Sequence, residues 1–248
     1  MNLIYEQVPL FLVSVLAYLA LVLLLAGGPG RLRPVRLGRC LGLAGPWAAF
    51  LFLPNDSLPP FLDFAWSGPA FWLGLLLGPL AQGGYGRRTR ASGVSALETL
   101  PHLFFLILIW LGLCYYAFRR GLPGDLPGLS VFAGSPLLGQ AGPAGIPGLI
   151  ALFLALAPWA ARREDDSLGP GLTSLALSAF LITVFFPFSL SGLLKTSAPP
   201  ALGLDFGLFW GKVLLLNRLL APRLAKLGRN LAVLLGAAGL TLLAVDIF

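Results

Sequence analysis

Two stretches of the sequence place titratable side chains where proton chemistry could occur in an apolar environment. In SALETLPHLFF, Glu98 and His102 are four residues apart, a spacing that brings two side chains to one face of a helix. In DFGLFWGKVLLLN, Lys212 lies inside an apolar run, and Asp205 precedes it as a candidate counter-ion. Because ionisable groups in apolar segments are costly, they commonly mark a functional path. The sequence therefore predicts a proton or ion path with the candidates Glu98, His102, Lys212 and Asp205.

Both pairs also have a purely structural interpretation. Ser95 and Glu98 have the S-x-x-E spacing of a capping box, in which two side chains satisfy the unbonded N–H groups at a helix start. Lys212 lies roughly 9 Å along its predicted helix, from where a long side chain can extend to the polar surface while its stem stays buried. The sequence leaves open whether these residues cap and snorkel or line a polar path.

The segment 162–166 is a third candidate, because it places five charged residues in succession in a chain that is only 11% charged. Arg162 and Arg163 follow one apolar segment, and Asp165 and Asp166 precede the next. Cations stabilise the carboxyl end of a helix and anions stabilise the amino end, so a simple polar turn would have the same order of charges. Both a working site and such a turn remain open.

The elements that must position these residues follow from the composition. The chain is 57% hydrophobic with a mean hydropathy of +0.87, beyond the range of soluble domains. We therefore expect an all-α integral membrane protein, a single domain that is a bundle of about eight transmembrane helices. The 31 glycines and 21 prolines favour close helix packing and kinks in several helices. The predicted spans are 8–28, 38–54, 66–84, 96–118, 145–161, 171–194, 206–221 and 230–247.

The distribution of basic residues predicts the orientation of these spans. Most of the 17 Lys and Arg residues lie in the odd-numbered connections. Because basic loops stay on the cytoplasmic side, we expect both termini on the outer side of a multi-pass protein in the plasma or inner membrane. This placement accounts for the net charge of +7 without a nucleic-acid partner. Acidic residues near predicted helix ends, such as Asp246, are expected to be solvated.

Cysteine and histidine residues are too few and too scattered for a metal centre. Cys40 and Cys114 lie on different predicted spans without metal-ligand spacing, and the sequence has one histidine. We therefore expect that this chain itself binds no metal, haem or iron–sulfur cluster. The sequence also lacks a metal-binding pattern such as H-E-x-x-H within a span, which argues against a membrane-embedded lipid enzyme.

Three stretches give the chain a resemblance to one family. GYGRRTRASGVSALETLPHLFF is similar to a basic third connection, REDDSLGPGLTSLALSAF to an acidic fifth connection, and FGLFWGKVLLLNRLLAPRLAKLGRNL to a lysine-bearing seventh span. In this order they resemble the eight-span subunit that joins the membrane arm of respiratory complex I to its hydrophilic arm. They also resemble its shorter relatives in group 4 energy-converting nickel–iron hydrogenases. The resemblance covers roughly residues 60–248.

The resemblance implies a function that depends on partners. It implies a non-catalytic membrane-anchor and coupling subunit that docks iron–sulfur and hydrogenase-like subunits on the cytoplasmic side and adjoins antiporter-like membrane subunits in the bilayer. Iron–sulfur clusters and a nickel–iron centre would belong to those partners. Lys212 matches the family's lysine, and the acids 164–166 match its acidic loop as a group. The docking and coupling candidates are Arg36, Arg39, Arg87, Arg88, Arg90, Arg162, Arg163, Glu164, Asp165, Asp166 and Arg223.

Departures from the family's pattern favour its hydrogenase-like branch. Complex I members have a Glu-Arg and a Gly-Pro-Asn pattern after the first span, whereas GRLRPVRLGRCLGLAGP keeps only arginines and a Gly-Pro. They also have more glutamates in the fifth connection, so a bound quinone is disfavoured here. Two alternatives stay open: a quinone-chamber subunit of an NADH dehydrogenase-type complex I, and a secondary transporter that works alone.

Overall fold

The part of the chain that the structure describes is helical. This structure is a computed structural model, and it describes residues 14–25, 44–53, 68–75, 96–122, 137–161, 168–186, 188–189, 199–226 and 228–248. These ranges contain no β-strand, so the prediction of an all-α fold is confirmed at this level.

Each predicted span overlaps one of the described helices, which we number in chain order. The number of membrane crossings and their boundaries stay predictions. A short 3-10 turn, Leu137–Gln140, precedes the fifth helix. The helices are α1 (Ser14–Leu25), α2 (44–49, continued by the 3-10 turn Phe50–Phe52), α3 (68–75), α4 (Ala96–Arg119), α5 (Gly145–Leu156, continued by the 3-10 turn Ala157–Ala160), α6 (Leu168–Phe185), α7 (Pro199–Leu215, continued by the π-helical turn Leu216–Leu220 and the α-helical turn Ala221–Ala225) and α8 (Arg229–Ile247).

Prolines shape the ends of three helices. At Pro158, α5 changes from α-helical to 3-10 geometry, because proline has no N–H for the α-helical hydrogen bond. Helix α6 ends at Phe185 rather than at 194, in keeping with Pro187 in the sequence, since a proline disfavours helical conformation in the residue before it. In α7, the π-helical turn directly precedes the turn that contains Pro222.

Helix α6 is the most enclosed part of the described structure. Between Gly171 and Phe185, every residue is buried except Thr173, which is half-buried. On one side of α6, the ring of Phe180 stacks on Phe71 at 5.6 Å between centroids and contacts the edges of two tryptophans at 5.2 and 5.5 Å. These tryptophans, Trp72 of α3 and Trp110 of α4, join two further helices to the core.

Trp210 of α7 also joins other helices to the core through aromatic contacts, on another side of the core. Its indole lies 6.0 Å from the ring of Tyr18 in α1 and 6.0 Å from the ring of Phe50, which follows α2. Aromatic pairs at these separations contribute about 0.5–1.5 kcal/mol beyond the area that they bury. Helix α7 therefore packs against elements from the first part of the chain.

Helices α5 and α8 approach each other through glycines. A side-chain carbon at Gly148 would lie 3.1 Å from the carbonyl oxygen of Gly239, and one at Gly239 would lie 2.9 Å from the carbonyl oxygen of Gly148. Such small-residue contacts let two backbones come together without a side chain between them. These positions therefore require the smallest residue.

Large apolar side chains cover much of the outer surface of the described helices. Phe104 and Phe118 of α4 and Leu234 of α8 are 68%, 71% and 66% exposed. By length and composition, the segment Asn230–Ile247 of α8 could cross a membrane, with a mean hydropathy of 1.9 and only 22% of its residues buried. Other apolar helices in the described ranges are shorter: Ser14–Leu25, Phe104–Arg119, Gly145–Ala160 and Gly171–Phe185.

Candidate functional site: polar contacts of helix α7

Lys212 contacts the carboxyl end of α6. Its Nζ donates hydrogen bonds to the carbonyl oxygens of Phe186, at 3.0 Å, and Phe188, at 2.9 Å. Carbonyls at a helix end have no partner within the helix, and the negative end of the helix dipole favours a cation there. The half-buried lysine of α7 therefore stabilises the point at which α6 stops.

Asp205 lies on the same helix and is fully buried, with 0% of its surface exposed. It precedes Lys212 by seven residues, which is close to two helical turns, so both residues lie on one face of α7. The sequence predicted both residues as candidates for a polar path, together with Glu98 and His102. Whether protons or ions move along that face stays a prediction.

A second polar contact of α7 is made by Asn217, within the π-helical turn. Its Nδ2 donates to the Ala160 carbonyl at 2.8 Å, to Ser174 Oγ at 2.7 Å and to Ser178 Oγ at 3.1 Å. The Ser174 hydroxyl also donates to the Ala160 carbonyl, at 2.8 Å. We call Asn217, Ser174, Ser178 and the Ala160 carbonyl the Asn217 cluster. It connects the end of α5, the middle of α6 and the second half of α7.

A third polar contact lies where the carboxyl ends of α4 and α8 meet the start of α5. The Asp246 carboxylate forms an ion pair with Arg120 and accepts hydrogen bonds from the Tyr116 hydroxyl, at 2.6 Å, and from the N–H of Gly142, at 3.0 Å. Arg120 also donates to the Asp246 carbonyl at 2.8 Å. Burial disfavours the charge of Arg120, but Tyr116 and Asp246 outweigh this effect and raise its pKa above the usual value.

The expectation that Asp246 is solvated is therefore wrong. Only 4% of its side chain is exposed, against 28% for Arg120. The two residues are separated by 126 positions in the sequence, and their contact depends on how α4 and α8 pack. Hydropathy places Asp246 near a helix end, but it does not show which groups surround that end.

The other predicted site residues fall into three groups. Glu98 and His102 lie within α4, and the structure does not describe their side chains. Arg223 is exposed in the last turn of α7. The remaining docking candidates lie outside the described residues: Arg36, Arg39, Arg87, Arg88, Arg90, Arg162, Arg163, Glu164, Asp165 and Asp166.

The sequence interpretation did not identify the Asn217 cluster, although a signal was present. Ser174 and Ser178 are four residues apart in an apolar helix, and Asn217 interrupts a run of leucines. Polar residues in apolar helices commonly hydrogen-bond to a neighbouring helix. In the described ranges, no group of three His, Cys, Asp or Glu side chains is placed to hold a metal ion.

No protein-family model, curated protein or solved structure matches the chain.

Proposed function

We propose that this chain is the membrane-anchor and coupling subunit of a multisubunit, redox-driven ion pump of the energy-converting hydrogenase or complex I type. In this role it performs no redox chemistry itself. It docks a soluble iron–sulfur module on the cytoplasmic side of the plasma or inner membrane and passes the resulting electrostatic change to a polar path between its helices.

The observation that carries the proposal is the pair of charged residues on α7. Asp205 is fully buried, and Lys212 donates to backbone carbonyls at the end of α6. Burying charged groups is costly, so such groups in an apolar bundle are commonly retained for transport. In a low dielectric medium, a charge that changes nearby can shift the protonation of such groups.

The outer surface of the described helices supports a membrane location. Exposed leucines on α7, among them Leu204, Leu208 and Leu215, are 60%, 46% and 58% exposed, and α8 is mostly exposed and apolar. Apolar patches of this extent on a water-soluble protein would favour association. Lipid tails would cover them, and eight crossings with both termini outside would follow from the basic connections.

Basic residues at the end of α7 support docking of a soluble partner. Arg218, Arg223 and Lys226 are all exposed there, and the basic connections predict that this end faces the cytoplasm. Complementary charge on a partner would speed its association and fix its orientation. The segment 162–166 adds an acidic group to this predicted surface, which would respond to a partner's charge.

Affinity purification of the full chain from its native membranes tests the proposal. We expect a mild detergent to retain chains with iron–sulfur clusters, identified by mass spectrometry and by electron paramagnetic resonance of the reduced sample. Arg223→Glu should weaken their retention, and Arg119→Glu, at the end of α4, should not. Recovery of a homo-oligomer alone would contradict the proposal.

Two further measurements separate the alternatives. Solute uptake by the purified single chain in liposomes would establish a transporter that works alone and would overturn the proposal. A bound quinone, extracted with solvent from the purified assembly, would move the assignment to the quinone-chamber branch of the same family.

A further inference from the structure

The Asn217 cluster offers more acceptors than its amide has hydrogens. The two hydrogens of Nδ2 have three acceptors at 2.7, 2.8 and 3.1 Å. The single hydrogen of the Ser178 hydroxyl has two, the carbonyls of Ser174 at 2.9 Å and Ala160 at 3.3 Å. The cluster can therefore exchange acceptors while its amide stays hydrogen-bonded.

The cluster is enclosed in the described core. Ser174, Ser178 and Asn217 are 6%, 0% and 2% exposed, although they lie among leucines and alanines. A leucine would avoid the cost of taking an amide out of water. A buried polar network in which the members satisfy one another favours one relative position of the helices that contribute to it.

The local geometry of α7 is unusual at this residue. Asn217 is the second residue of the π-helical turn Leu216–Leu220, and Pro222 lies in the next turn. Since Pro222 has no N–H, a regular α-helix would leave the Arg218 carbonyl without its donor. π-helical turns are rare and frequently lie at functional sites. This turn presents the Asn217 amide to α5 and α6.

The acceptor at the centre of the cluster belongs to the end of α5. Ala160 is the last residue of the 3-10 turn that ends this helix, and Arg162, the first charged residue of the segment 162–166, follows two positions later. The same helix that bonds to Ala160 also bonds through Lys212 to the end of α6. Helix α7 thus has a polar contact at the carboxyl ends of both α5 and α6.

We propose that Asn217 is a positioning residue that keeps the end of α5 in register with α7. A displacement of the end of α5 then changes which acceptors the Asn217 amide uses, and α7 moves with it. This role deepens the proposed function and rests on it for its consequence: docking at the segment 162–166 would act on Lys212 through Asn217. The register of α5 and α7 itself does not depend on a partner.

Distance measurement between spin labels in the full chain tests the register. Labels at Ala161→Cys and Ala225→Cys, in lipid nanodiscs with Cys40 and Cys114 replaced by serine, report the position of the end of α5 against the end of α7. We expect one narrow distance distribution. Asn217→Leu should broaden it, and Asn230→Leu, which changes an exposed asparagine of α8, should not.

Exchanging the residues at positions 174 and 217 distinguishes a positioning role of the cluster from a general contribution to stability. The double variant Ser174→Asn with Asn217→Ser keeps one amide and two hydroxyls in the cluster, so it should narrow the distribution again. A broad distribution in the double variant would overturn the proposal, as would a narrow one in Asn217→Leu despite a lower melting temperature. If Asn217→Leu does not fold, Ser174→Ala takes its place, with Thr241→Ala on the exposed face of α8 as control.

The two proposals can fail separately. If the purified chain has no redox partner but Asn217→Leu broadens the distribution, the proposed function fails and the positioning role stands. If partners are retained, Asn217→Leu should lower the number of ions moved per electron while electron transfer continues. Unchanged ion movement per electron would show that the register has no part in coupling.

Discussion

Asp246 shows how a single carboxylate can join three parts of the fold. It contacts Arg120 and Tyr116 at the end of α4 and the backbone at Gly142, just before α5. Because a carboxylate in this position is almost fully enclosed, each donor around it satisfies a group that would otherwise be costly to bury. The contact therefore stabilises the arrangement of α4, α5 and α8.

A tyrosine pair tests this contact with a matched control. Tyr116→Phe removes the hydroxyl that donates to Asp246, and hydrogen bonds to charged groups contribute about 1.5–3 kcal/mol. We expect the melting temperature in detergent to fall for Tyr116→Phe and to stay unchanged for Tyr115→Phe, since Tyr115 is 52% exposed. Equal melting temperatures for the two variants would show that the hydroxyl of Tyr116 contributes nothing.

Lys212 provides the functional prediction at the residue scale. If Lys212 exchanges protons on the path, Lys212→Met should lower ion uptake into vesicles that contain the assembly by about a hundredfold, because a positioned proton-transfer group contributes about 10²–10⁴-fold. Electron transfer and partner retention should persist. Arg119→Met, at the exposed end of α4 and away from the predicted docking surface, is the control. An unchanged rate of ion uptake in Lys212→Met would show that Lys212 only stabilises the end of α6.

At the scale of the helices, the sequence predicted the parts of the fold that local properties determine. Apolar runs of sufficient length predicted where helices occur, and the all-α class followed from them. The contacts of Asn217 with Ala160 and Ser174 span 57 and 43 positions, so no local pattern contains them. The same holds for the contact of Lys212 with the carbonyls of Phe186 and Phe188, which depends on the packing of two helices.

Two glycine-to-alanine substitutions, which we expect to change thermal stability in opposite directions, test the packing of α5 on α8. In an open helical position, Gly→Ala stabilises a protein by about 0.5–1 kcal/mol; a side-chain carbon at Gly207 would meet nothing within 4 Å. At Gly239 the same carbon would lie 2.8 Å from the side chain of Leu152, and overpacking costs about 1–3 kcal/mol. Thermal unfolding of the isolated chain should therefore shift upward for Gly207→Ala and downward for Gly239→Ala. An upward shift for Gly239→Ala would contradict the close approach.

At the scale of the whole molecule, the distribution of exposed side chains and of basic residues leads to one arrangement. The described helices expose large apolar side chains outward and enclose Asn217, Asp205 and the serines of α6. The proposed membrane location would stabilise this arrangement, because lipid would contact the apolar exterior while polar groups find partners within the bundle. In the proposed orientation, the basic end of α7 would lie at the cytoplasmic surface, where a soluble redox partner would dock.

Labelling with a membrane-impermeant thiol reagent tests this arrangement directly. In a chain with Cys40 and Cys114 replaced by serine, single cysteines at Gln140 and Phe248 should react from outside intact cells. Cysteines at Ala161 and Ala225 should react only after the membrane is opened. Each pair flanks one helix, since α5 lies between positions 140 and 161 and α8 lies between positions 225 and 248. Reaction of Ala225→Cys from outside would reverse the predicted orientation and remove the docking surface from the cytoplasm. Reaction of both members of a pair from one side would show that the helix between them does not cross the membrane, because a crossing helix must separate its two ends.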